Sequence, residues 1–304
     1  MLKIITILLL FKFLLSTSSF ASDQINIFAC EPEWKSLAEE IGGNKVKAFA
    51  ATHAKQDPHH IRARPSLIAK IRRADLIFCS GAGLEVGWMP ILLQKANSKV
   101  QPGKLGYLMA SNYTPVIDIP DKVDRSHGDV HPEGNPHVHL DPNNILLVAK
   151  ELNKRLAVID SINKNYYQEN YNNFINRWKK SLLRWEKDIE SIKDQRIIIH
   201  HKSFDYLFNW MELDEVAALE VKPGIPPTAS HLKNILQDIN NNPADIIVIS
   251  PYDPSEGALW LSKQTKIPVV TLPYTIGGNE ESINLFALFD SSIKIMQNGL
   301  YDKQ

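Results

Sequence analysis

The chain has no surplus of charge of either sign: 34 Lys and Arg side chains are matched by 34 Asp and Glu over 304 residues. Zero net charge, with no run of Lys and Arg, argues against a nucleic-acid partner, since phosphate binding needs a basic surplus or stripe. Cysteine is scarce, with only Cys30 and Cys79. Without further Cys or His beside them, that pair is half a zinc site. Internal repeats and low-complexity tracts are absent. No segment beyond the first residues is apolar enough to span a bilayer.

The first residues read as an export signal rather than as part of the fold. Lys3 precedes an apolar run from Ile4 to Leu15, interrupted only by Lys12, and small residues follow from Ser16 to Ala21. Ser19-Phe20-Ala21 fits the small-x-small rule, so cleavage is expected after Ala21. The other reading is an uncleaved membrane anchor, for which the run is short. No cysteine stands at the cleavage point, which argues against a lipid anchor there. In an exported chain Cys30 and Cys79 invite a disulfide, because each ends a β-like run, INIFAC and DLIFC. Two buried thiols acting as small apolar residues are the alternative.

Apolar residues make up 44%, ordinary for a protein with a real core, and the length points to about two domains. The runs INIFAC, VKAFAA and ADLIFC recur in the first half. RIIIH, EVAALE, ADIIVIS and IPVVTLP recur in the second. They are continuous rather than alternating, as in parallel strands covered on both faces. Helical patterns such as WKSLAEEIGG and PSLIAKIRRA lie between them. The reading is α/β: two similar lobes with central, mostly parallel sheets, joined by one long helix. Boundaries are expected at 22–160 for the N-terminal lobe, 161–193 for the linking helix and 194–304 for the C-terminal lobe. In the linking segment Tyr167, Tyr171, Phe174, Trp178, Leu182, Trp185, Ile189 and Ile192 recur at intervals of three and four. That is one face of a single helix. An aromatic ligand platform is the sharper reading of this stripe, and packing along both lobes is the plainer one.

Of the ten histidines, four fall in HGDVHPEGNPHVHLDP, residues 127–142. His59, in QDPHHIRARPS, follows a strand. His137, in NPHVHLDP, precedes the long helical region. His201, in IIIHHKSFDYL, directly follows a strand. Open α/β sheets bind ligands at the carboxyl ends of their strands, so histidines from both lobes can meet in the cleft. Imidazole is the commonest metal ligand, and three of them with a fourth donor make a tetrahedral zinc pattern. Pro58 and Pro136 stiffen the backbone before two of them. Spacing alone does not choose between the neighbours His59/His60, His137/His139 and His200/His201.

These segments resemble the metal-binding solute receptors of ABC importers, the zinc and manganese (ZnuA-like, cluster A-I) class. DPHHIRARPS resembles that family's first histidine motif, NPHVHLDP the second and HKSFDYL the third. ADLIFCSGAGLE and KPGIPPTASHL resemble two further family segments, and the likeness runs from about Ile25 to Met296. It implies His59, His137 and His201 as ligands of Zn2+ carried as substrate, with Mn2+ less suited to imidazole. It implies a periplasmic monomer that serves an inner-membrane ABC permease, and no enzymatic activity. His60, His139 and His200 would then stand behind the ligands or on the surface. The family's acidic ligand is missing, because TLPYTIGG puts Pro273 where an aspartate is expected. The fourth ligand is then expected to be water, next Asp253 in SPYDPSEG, and after it Glu220, which otherwise serves as a structural charge. His127 and His131, with Asp129 and Glu133, form a lead-in that either gathers metal or is simply solvated. The alternatives are a manganese, iron or metal-chelate receptor, a zinc-dependent hydrolase, and a surface adhesin of the same fold.

Overall fold

The apolar runs become strands. Ile25–Ala29 (β1), Val46–Ala50 (β2), Leu76–Cys79 (β3) and Tyr107–Met109 (β4) form a parallel sheet in the order β2-β1-β3-β4. Arg196–Ile199 (β5), Asp214–Ala218 (β6), Ile246–Ile249 (β7) and Val269–Thr271 (β8) form a second, in the order β6-β5-β7-β8, also parallel. The same topology occurs twice, as the α/β two-lobe reading expects. The inner strands β3 and β7 are buried at every residue, which is why their sequences do not alternate. This computed structural model describes residues 24–121 and 131–301. The export segment with its expected cleavage after Ala21, and His127 and Asp129, lie outside the described residues.

Helices cover both sheets: Pro32–Gly42 (α1), Pro65–Ile71 (α2), Met89–Leu93 (α3), Pro142–Ile159 (α4), Lys164–Ile189 (α5), Asp205–Trp210 (α6), Ala229–Ile239 (α7), Glu256–Thr265 (α8) and Leu285–Tyr301 (α9). The first four each carry proline in the opening turn, where its missing N–H costs nothing. In the Leu-Asp-Pro run before α4, Asp141 caps the helix by accepting from Asn143 N at 2.8 Å. Cys30, just after β1, and Cys79, ending the neighbouring β3, are joined in a disulfide with Cα atoms 4.8 Å apart. The bridged reading of the pair therefore holds.

Helix α5 has 26 residues, about 39 Å at 1.5 Å per residue. It packs on α1 and α4 of the first lobe and on α9 of the second. Its stripe is the contact surface: Tyr167, Phe174, Trp178, Trp185 and Ile189 are buried. Trp178 and Trp185 pack edge-on at 5.1 Å, with Phe286 and Phe289 of α9 against them. The Trp178 indole donates to Pro142 O at 2.8 Å and that of Trp185 to Asp290 Oδ1 at 2.6 Å. Phe174, Trp178 and Trp185 meet the second lobe, while Tyr167 bonds to Asp160 of the first, so the stripe is a packing surface and the plainer reading of it holds. Replacing Trp178 with Ala opens a cavity at this joint and is expected to cost about 3–5 kcal/mol. A lowered urea midpoint would show it; an unchanged midpoint would mean that the lobes do not depend on this packing.

Candidate metal centre

The sheets deliver their loops to one cleft. His59 lies in the loop after β2. The loop is pinned where Trp88 Nε1 donates to Pro58 O at 2.9 Å, with Trp88 and Ile61 buried beneath it. His137 lies where the chain turns into α4. Its backbone N–H donates to Asn135 Oδ1 at 3.0 Å, and Asn135 Nδ2 reaches across to Lys202 O at 2.9 Å. His201 follows β5 by two residues. The step between is fixed by His200 N donating to Val248 O at 3.0 Å and Glu220 N to His200 O at 3.2 Å.

One ring nitrogen from each of His59, His137 and His201 lies within 4.8 Å of the other two. The remaining nitrogen of each ring is engaged behind. Nδ1 of His59 meets Asp57 Oδ1 at 2.7 Å, Nδ1 of His201 meets Glu220 Oε2 at 2.7 Å, and Nδ1 of His137 meets the Tyr274 hydroxyl at 2.7 Å. A carboxylate only accepts, so it holds the proton on Nδ1 and leaves Nε2 as a lone pair facing the cleft. Such outer partners fix tautomer and ring orientation in metal sites. The donor set is three nitrogens from both lobes, pre-aimed at one point, and it suits a borderline dication such as zinc.

Electrostatics set His137 and His131 apart from His201. Burial, and then the neighbouring His59, His201 and His131, push His137 well below its ordinary value, so it stays neutral. Burial, and then His59 and His201, push His131 down to about 3. His201 goes the other way. Burial disfavours its charge, but the hydrogen bond and charge of Glu220 outweigh this and raise it above 6.5. The Asp57 carboxyl is held low although burial opposes it, through its hydrogen bond and attraction to His59.

The other sequence candidates separate clearly. His60 is exposed, while His139 and His200 are buried. His139 Nε2 donates to Tyr274 O at 2.9 Å, and its Nδ1 lies 3.3 Å from Glu33 Oε1. Glu220 backs His201 and also accepts from Gly224 N at 2.9 Å. Asp253 borders a cavity of about 190 Å³ together with Asp57, His59 and His201, and it accepts from Ser250 N at 2.7 Å. Pro273 offers no donor, but the next residue, Tyr274, supports His137. His131 is not merely part of a lead-in: its Nε2 is 3.1 Å from His59 Nε2. Sequence reasoning missed Asp57 and Tyr274. Asp57, two residues before a candidate ligand, was visible in DPHH; Tyr274 carries no spacing signal.

The family profile described as "Zinc-uptake complex component A periplasmic" (ZnuA) matches residues 27–299. The chain belongs to the ZnuA family. Among curated proteins it is similar to the metal ABC transporter substrate-binding lipoprotein SloC of Streptococcus mutans. They share 22% identity over 99% of this chain and 98% of that one. It is likewise similar to the manganese ABC transporter substrate-binding lipoprotein PsaA of Streptococcus pneumoniae, with 23% identity over 98% and 99% of the two chains. A crystal structure of ZnuA superimposes with a TM-score of 0.75 at 18% identity, covering 91% of this chain and all of that one. ZnuA-family membership makes the chain an extracytoplasmic metal receptor of the ABC-transport class, not an enzyme.

Because metal must displace the proton that Glu220 helps His201 retain, affinity should fall as pH drops through that raised value, beginning above 6.5. Glu220→Gln should weaken zinc binding about 10–100-fold near neutrality. It should also move the acid limb to lower pH, because His201 loses the partner that raised it. Chelator-competition titrations across pH read both effects; an unchanged limb in the variant would refute this role of Glu220.

Proposed function

We propose that the chain is a periplasmic zinc receptor that passes one ion to an ABC permease in the inner membrane. The observation that carries this reading is the donor set. His59, His137 and His201 converge from both lobes with each Nδ1 already engaged, so three imidazole nitrogens face the cleft. Manganese favours carboxylate oxygen. Here Asp57 and Glu220 stand behind rings rather than toward the cleft, and Pro273 removes the carboxylate expected nearby. The manganese named for the pneumococcal relative is therefore not the ion this donor set favours. Export by the N-terminal segment, with cleavage after Ala21, brings the receptor to the compartment where a permease can meet it. The inter-lobe hydrogen bonds of Asn135 and His139 and the α5 helix limit the lobes to small excursions, so release needs the permease to disturb loops or lobes slightly.

Calorimetric titration of the metal-stripped mature protein with zinc, with manganese in parallel, tests the reading. One-to-one tight zinc binding and weak manganese binding are expected. His201→Ala should lose at least about tenfold in zinc affinity, roughly 1.4 kcal/mol. Weak zinc binding in the parent, with the variant behaving alike, would reject the three-histidine site.

A further inference from the structure

We propose that His131 supplies a fourth imidazole to the ion, in place of the carboxylate that Pro273 cannot provide, and makes the centre an all-nitrogen site. The inference rests on the receptor reading above.

The geometry carries it. Nε2 of His131 lies 3.1 Å from Nε2 of His59. Two imidazoles on one tetrahedral zinc, each about 2.0–2.1 Å from the metal, keep their nitrogens about 3.3 Å apart. These two rings already stand at nearly the spacing of co-ligands, and binding the ion would draw His131 in toward the His59, His137 and His201 cluster. The His131 ring stacks on His59 with centroids 5.1 Å apart and faces His137 edge-on at 6.5 Å. It lines a cavity of about 220 Å³ together with His137 and His201.

The loop is built to hold the ring there. Gly134 N donates to His131 O at 3.0 Å, and Asn135 N to Ile117 O at 2.8 Å, so the backbone after His131 is tied down. Gly134, at φ 97°, sits where a Cβ would collide with Val116 and Ile117. Beside the ring, Gly83 has φ 82°, and a Cβ there would come within 3.3 Å of His131 Nδ1. The turn after β3 thus leaves room for this ring. The carboxylates that could compete are engaged elsewhere: Asp57 and Glu220 by ligand rings, Asp253 by Ser250 N. The charge of a dication is then balanced by Asp57 and Glu220 through their imidazoles, and the inner donors are all nitrogen. That set favours zinc, copper or nickel over manganese.

The test uses the mature chain and zinc itself, with X-ray absorption at the zinc edge counting imidazoles and competition titration reading affinity. The parent should show four imidazoles. His131→Ala should bind one-to-one with three imidazoles and at least about tenfold lower affinity, the lower end of what losing even an outer partner costs. His131→Asp should recover part of the zinc affinity and narrow the gap between zinc and manganese. If the parent shows three imidazoles and His131→Ala binds like it while His59→Ala does not, the fourth-ligand assignment is wrong and the receptor site stands. If His59→Ala also binds like the parent, the site itself is wrong and this assignment falls with it.

Discussion

The separation of the two lobes is the constraint on which the site depends. Nitrogens from both lobes can share one ion only if their distances hold to a few tenths of an ångström. A seam of buried polar contacts sets that separation. Tyr206 Oη accepts from Ile117 N at 3.3 Å and donates to Asn135 O at 3.0 Å. Asn135 Nδ2 donates to Lys202 O. Glu33, at the start of α1, accepts from the Thr275 hydroxyl and faces the His139 ring, which donates in turn to Tyr274 O. Glu33 and His139 are fully buried. Burial that deep is offset where Glu33 Oε2 and His139 Nε2 each bond to the opposite lobe, while Glu33 Oε1 and His139 Nδ1 face each other at 3.3 Å within the first. Helix α5 adds an apolar joint along the far side.

Tyr274 links this seam to the site. Its carbonyl receives His139 and its hydroxyl meets Nδ1 of His137, so one residue both fastens the lobes and aims a ligand ring. A movement that parts the lobes at the seam takes away the Nδ1 partner of His137 in the same step. Tyr274 therefore couples the inter-lobe contact directly to the orientation of the His137 ring.

Strands with long apolar runs were legible in the sequence, as was α5, because its stripe persists over more than six turns. β4 was not: three residues inside GKLGYLMAS carry no period. The disulfide could be framed, since both cysteines end neighbouring strands, but adjacency is a tertiary fact. The histidines were legible as pairs only. Resemblance chose among His59/His60, His137/His139 and His200/His201, and the fold brings together the chosen member of each. Tyr274 was invisible because its role rests on contacts made across more than a hundred residues of chain. His131 was obscured for a different reason: it sits in a polar, turn-rich stretch whose composition is that of any solvated loop, and its approach to His59 is a tertiary contact.

The missing aspartate can be understood in the same physical terms. A dication in a cleft needs negative charge nearby, but that charge need not touch it. Asp57 and Glu220 supply it one imidazole away, where it also fixes the tautomers of His59 and His201. On the proposed reading the carboxylates stand behind the imidazoles rather than on the ion, and a nitrogen donor set of that kind favours ions that bind imidazole over oxygen-seeking ones. At Pro273 the chain presents Tyr274 to the seam and to His137, and a proline immediately before it fixes φ and restricts the approach of the backbone.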